Sequence, residues 1–138
     1  MLKYLAAYGL TFLVFLLVDI VYLGIVAKDL YAKHIGFLMA DKVNWWAAII
    51  FYLLFVGAIF VFVINPAIAT DSIQKALVYG AFFGFITYAT YDLTNLATLK
   101  DWPVRIVIYD MLWGTVLVAI VGGAGFYITR WLIPSISS

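Results

Sequence analysis

The feature that most constrains this chain is the run 45–64, which contains no charged side chain. A helix of about 20 apolar residues is long enough to cross the ~30 Å hydrocarbon core of a bilayer. Trp45 and Trp46 begin the run with residues typical of the headgroup level, and Asn65-Pro66 is expected to end it. We interpret this run as a structural span that faces mainly lipid.

The composition of the whole chain agrees with a lipid environment. Of its 138 residues, 67% are hydrophobic and only 11% are charged. A soluble domain is nearer half apolar and a quarter charged. A globule of this size has too much surface to hide the excess. The sequence therefore predicts an integral, multi-pass protein of the cell membrane.

Further apolar stretches flank the run 45–64. Together they predict an all-α fold, a four-helix transmembrane bundle that forms a single domain over residues 1–138. The expected spans cover about 4–27, 45–64, 72–99 and 104–132. The connection 28–42 is charged but has an apolar centre, which favours a short interfacial helix. Counting the basic residues of the connections favours an orientation with both termini outside.

Several classes of function are excluded by what the chain contains. A formal net charge of +1 argues against a nucleic-acid partner, which would call for a basic patch. The absence of cysteine excludes disulfides and thiolate metal sites. A single histidine, His34, excludes a histidine-rich metal centre. Membrane lipids are the expected partners.

Three aspartates interrupt the apolar stretches, and each is costly there. A carboxylate at the centre of a membrane helix costs about 2.5–3.5 kcal/mol on insertion scales. Asp19 and Asp92 lie past the middle of the first and third spans, and Asp110 lies before the middle of the fourth. In an up-and-down bundle all three are displaced toward the same side by very roughly 6–10 Å. We therefore expect the three carboxyl groups to share one layer of the bundle.

Polar and aromatic residues accompany each aspartate. Tyr22, Asn95 and Trp113 each follow an aspartate by three residues, which places each pair on one helix face. In span three, Gly80 and Gly84 predict a close helix contact that continues into the polar face. The predicted binding residues are Asp19, Tyr22, Tyr88, Tyr91, Asp92, Asn95, Arg105, Tyr109, Asp110 and Trp113.

Several functions fit this layer. The first is a carboxylate-lined cavity that binds a cation, a proton or a small polar or lipid ligand, with transport requiring a homo-oligomer. Mg or Ca would be the metal suited to Asp19, Asp92 and Asp110, although no recognised ligand spacing is present. The second is a membrane enzyme or accessory factor acting on lipid or acyl chains, for which no catalytic residue or cofactor motif stands out. The third is a structural or assembly subunit whose acids hold helices together.

Three motifs together carry a family resemblance. They are Tyr91-Asp92-x-Thr94-Asn95-x-Ala97, Asp19-x-x-Tyr22-Leu23-Gly24 and Tyr109-Asp110-x-x-Trp113-Gly114. The chain resembles, over essentially its whole length, the domain of unknown function 2177 family of small predicted bacterial membrane proteins. The resemblance implies four spans and the same three motifs, and it implies no particular activity.

Overall fold

The regular structure of the protein is entirely helical in the part described, residues 1–134 of a computed structural model. The all-α prediction is confirmed. We number the helices in chain order: α1 Leu2–Val26, α2 Lys28–Ile35, α3 Trp45–Ile68, α4 Ile73–Thr98 and α5 Val104–Leu132. A short 3-10 turn, Gly36–Leu38, follows α2. The connection 28–42 therefore contains a helix, α2, and its position at the membrane interface stays a prediction.

Three of the helices, α1, α3 and α5, are long and apolar enough to cross a membrane. The 26 residues of α4 would also span about 39 Å at 1.5 Å per residue, but this helix is more polar. Its threonine hydroxyls mostly bond to backbone carbonyls one turn earlier, which lowers the cost of placing them in lipid. Thr87, Thr90, Thr94 and Thr98 are bonded in this way. That α4 forms the fourth crossing stays a prediction.

The third helix differs from expectation in two respects. It does not end at Asn65-Pro66 but runs to Ile68, because a wide π-type turn over Phe60–Ile64 precedes the proline. Pro66 then lies in the first turn of the segment that follows, where its missing N–H is tolerated. The helix also does not face only lipid, since Val56, Ile59 and the end of the wide turn are buried in the core.

The tightest contact in the bundle joins the antiparallel helices α4 and α5. A Cβ atom on Gly80 would lie 2.5 Å from the carbonyl oxygen of Val118, and one on Gly84 would collide with the backbone of Gly114. The predicted close contact through these two glycines is confirmed. Because only hydrogen atoms separate the two backbones there, the register of α4 against α5 is fixed.

The remaining helices surround this pair. Helix α1 packs along α5, and α3 packs on α1 while meeting α4 chiefly around its wide turn. The first half of α3 therefore diverges from α4. The short α2 lies against the start of α5, where Leu30, Tyr31 and Ile35 cover Trp102 and Ile106. The divergence of α3 from α4 and the packing of α2 against α5 bound the layer that contains the three aspartates.

Candidate functional site

The three aspartates that interrupt the apolar stretches are all buried among the helices. Asp92 has no exposed surface, and Asp19 and Asp110 are 6% exposed. Each is engaged differently by its surroundings, so the three carboxyl groups are not equivalent.

Asp19 joins three helices through hydrogen bonds. The hydroxyl of Tyr52 in α3 donates to Oδ2 at 3.0 Å, and the indole Nε1 of Trp113 in α5 donates to Oδ1 at 3.3 Å. The ring of Trp113 stacks on Tyr22, with 3.9 Å between centroids and 6° between planes. Both carboxylate oxygens of Asp19 are therefore satisfied by donors from neighbouring helices.

Asp110 is held by a hydrogen bond from α2. The hydroxyl of Tyr31 in α2 donates a hydrogen bond to its Oδ1. Burial raises the pKa of the Tyr31 phenol above its ordinary value, and the hydrogen bond and the negative charge of Asp110 raise it further. Tyr31 therefore keeps its proton and serves as a donor, which favours the ionised form of Asp110.

Asp92 has no such partner. Neither of its carboxyl oxygens has a hydrogen-bond partner among residues 1–134. The indole N–H of Trp102 lies beside it but in a geometry that falls short of a hydrogen bond. Trp102 also contacts the ring of Tyr91 edge-on, at 6.0 Å between centroids. Neither oxygen of the Asp92 carboxyl group is therefore compensated by a hydrogen bond within the described residues.

Two tyrosine side chains, Tyr22 and Tyr88, lie close to more than one of the acids. Tyr88 lies within range of electrostatic interaction with both Asp19 and Asp110, and so does Tyr22. Asp92 lies within the same range of Asp110. The ring of Tyr88 fits against Gly114, in space that a Cβ atom would fill. Asp19 of α1, Asp92 of α4 and Asp110 of α5 therefore lie near one another in the folded protein.

A cleft of about 350 Å³ opens beside this group of acids, where the first half of α3 diverges from α4. Its lining consists of aromatic rings, three hydroxyl groups and one carboxyl group: Phe51, Phe55, Thr87, Tyr88, Tyr91 and Asp110. Among these lining residues there is no basic side chain. The cleft therefore combines an apolar wall with a hydrogen-bond acceptor of negative charge.

Some of the predicted binding residues lie outside this group. Arg105 is exposed and forms no ion pair within the described part of the chain, so it does not compensate the acids. Tyr109 is half exposed and flanks Tyr22 on the outer surface of the bundle. Asn95 is half-buried beside Tyr91, which itself lines the cleft.

The geometry does not favour the metal site considered from the sequence. Within residues 1–134, the three aspartates do not form a group that could hold one metal ion. Asp19 is already satisfied by Tyr52 and Trp113, and Asp110 by Tyr31. Because two of the three carboxyl groups are committed to separate donors, they are a poor ligand set for Mg or Ca, which need several free oxygens around one point.

Three residues of this layer were not predicted as site residues: Tyr31, Tyr52 and Trp102. A signal existed for Tyr52, which carries the only hydroxyl group in the run 45–64. Tyr31 lies between apolar neighbours of an amphipathic segment, but nothing in its spacing indicates a contact with Asp110. That contact depends on how α2 folds back onto α5.

Comparison with known proteins gives one match. Neither the curated proteins nor the solved structures include a chain similar to this one. A family model described as a predicted membrane protein, DUF2177, matches residues 4–127 and so includes all three aspartate motifs. The chain belongs to the DUF2177 family of predicted membrane proteins.

Proposed function

We propose that this protein is a multi-pass protein of the cell membrane that binds an amphipathic lipid in the cleft between α3 and α4. The observation that carries the proposal is the position of Asp110, which contributes a carboxyl group to an otherwise largely aromatic cleft between two diverging membrane helices. Ionisable residues inside a membrane bundle commonly mark a ligand site.

The chemistry of the lining restricts the head group. Asp110 offers acceptor oxygens, and Tyr88 and Tyr91 add phenol groups that can accept or donate. No basic residue lines the cleft, so a head group bound only through an anionic phosphate would lack a counter-charge. A head group that donates hydrogen bonds, an ammonium group above all, is complementary to this lining because it also pairs with the carboxylate.

The size and the wall of the cleft restrict the rest of the ligand. A volume of about 350 Å³ is at the small end of the range for ligand pockets. It accommodates a head group and the beginning of a chain, while the remainder stays in the bilayer. Phe51, which is about half exposed, lies where the chain would leave the cleft. A partly inserted lipid satisfies both the polar and the apolar surfaces.

Native mass spectrometry of the purified protein tests the proposal. We expect amine-bearing lipids to be retained by the wild-type protein and lost from Asp110→Asn, which keeps the shape of the side chain but removes its charge. Asp71→Asn is the matched control, because Asp71 is half exposed and pairs with Arg130 outside the cleft. Equal lipid retention by wild type and Asp110→Asn would refute the proposal.

A second role is favoured for Asp19. Its two hydrogen bonds, from Tyr52 and Trp113, join α1 to α3 and α5, so this acid holds helices together as a structural residue would. We expect Asp19→Asn to weaken the folded bundle without changing which lipids are retained. Selective loss of one lipid class in a fully stable Asp19→Asn protein would contradict this assignment.

A further inference from the structure

The carboxyl group of Asp92 differs from those of Asp19 and Asp110 because it has no hydrogen-bond donor among the described residues. It is fully buried in α4, and both of its oxygens lack a hydrogen-bond partner among residues 1–134. A carboxylate in an apolar medium without partners is so unfavourable that the group takes up a proton instead. The lack of hydrogen-bond partners therefore bears on whether the Asp92 carboxyl group is charged or protonated.

The groups that face Asp92 do not include a cation. From α5, Asp110 presents a like charge, and the turn before α5 presents the indole N–H of Trp102. On α4 itself, Tyr88 lies one turn before Asp92 and Tyr91 immediately precedes it. Asn95 follows Asp92 on the same helix. The nearest basic residues in sequence, Lys100 and Arg105, are exposed and form no ion pair with any acid in the described region.

The hydrogen bonds distinguish the two acids. Asp110 receives the hydroxyl proton of Tyr31, an interaction that stabilises a carboxylate. Asp92 receives no hydrogen bond. Two carboxylates in range of each other in low dielectric do not both ionise, and the one without donors is the one that keeps a proton.

We propose that Asp92 is a proton-binding site within the membrane, protonated near neutral pH beside an ionised Asp110. Zero exposure leaves no room for a hydrated metal ion at this carboxyl, whereas a proton needs none. The N–H of Trp102, which lies beside the same carboxyl group without forming a hydrogen bond to it, also disfavours a cation. The site does not depend on a lipid occupying the cleft, because Asp92 is not among the residues that line it.

Infrared spectroscopy of the full chain in detergent micelles tests the proposal. A protonated carboxyl group has a C=O stretching band that is separate from the bands of carboxylates and amides. We expect the wild-type protein to show this band near neutral pH, and Asp92→Asn to lose the intensity of one carboxyl group. Asp71→Asn, a change at an exposed ion pair, is expected to leave the band unaltered.

Two results would overturn the proposal. The first is a wild-type protein without a protonated carboxyl band near neutral pH, a measurement that does not depend on any variant folding. The second is a band abolished by adding sodium or potassium chloride, since this would make the site a cation site. If Asp110→Asn still retains lipid while the infrared band of Asp92 is present, only the proposal that the cleft binds lipid is refuted.

Discussion

Replacing Gly80 by alanine tests the contact that sets the distance between α4 and α5. A Cβ atom at this position would lie 2.5 Å from the carbonyl oxygen of Val118 and 3.0 Å from the Cα atom of Ala119. Both are backbone atoms, so no side chain can rotate away. Ordinary van der Waals contact begins near 3.4 Å, which means that the helices must separate or tilt to admit the methyl group.

The magnitude follows from what such a shift disturbs. Overpacking of a well-packed interface costs about 1–3 kcal/mol. A change from glycine to alanine within a helix would by itself stabilise by about 0.5–1 kcal/mol, so the clash has to exceed this gain. We expect a net loss of about 1–2 kcal/mol in the free energy of unfolding. The same displacement would widen the spacing between Tyr88 and Gly114 farther along the interface.

Unfolding in mixed detergent micelles, followed by helical circular dichroism, measures this effect. Gly57→Ala is the matched control, since a Cβ atom on Gly57 meets no other atom within 4 Å. We expect Gly57→Ala to be as stable as wild type or slightly more stable. If Gly80→Ala is as stable as Gly57→Ala, the close approach of α4 and α5 described here is wrong.

Three further changes have separate expected outcomes. Tyr52→Phe removes a hydrogen-bond donor to Asp19 and should lower the free energy of unfolding by about 0.6–2 kcal/mol. Tyr79→Phe, a change at the surface, should not lower it. Equal effects of the two changes would contradict the structural role of Asp19. The pKa of Tyr31 is raised in the folded state, so the unfolded chain loses the phenol proton at a lower pH than the folded chain does. The free energy of unfolding of the wild-type protein should therefore fall more steeply above about pH 10 than that of Tyr31→Phe. Parallel pH profiles would show that Tyr31 is not held as described. Asp71→Asn breaks an exposed ion pair and should cost less than about 1 kcal/mol in the same unfolding assay, and a larger loss would disqualify it as a control.

The helices themselves could be predicted because lipid imposes a simple rule on the sequence. Apolar runs long enough to cross a bilayer must be helical, since every backbone polar group has to be satisfied within the run. The bounds of α4 and α5, Ile73–Thr98 and Val104–Leu132, accordingly lie close to those expected. The end of α3 was missed, because a proline ends a regular helix but is tolerated directly after a wide turn such as Phe60–Ile64.

The layer of acids could be anticipated, but not the partners of each acid. Spacing and helix direction place Asp19, Asp92 and Asp110 at similar depth. They do not say that Tyr52 turns inward or that Tyr31 reaches Asp110, since both depend on how separate helices pack. The distinction between satisfied and isolated carboxyl groups, on which both proposals depend, therefore required the structure.

Photo-crosslinking from inside the cleft shows whether an amine-bearing lipid is bound there. A photoreactive phenylalanine analogue at position 51 would lie in the cleft, and the same group at position 54 would replace Leu54, which is 70% exposed on the same helix. If the cleft binds lipid through Asp110, crosslinks from position 51 should be enriched in amine-bearing lipids relative to position 54, and Asp110→Asn should abolish the enrichment. The same lipid composition at both positions, unchanged by Asp110→Asn, would contradict the account.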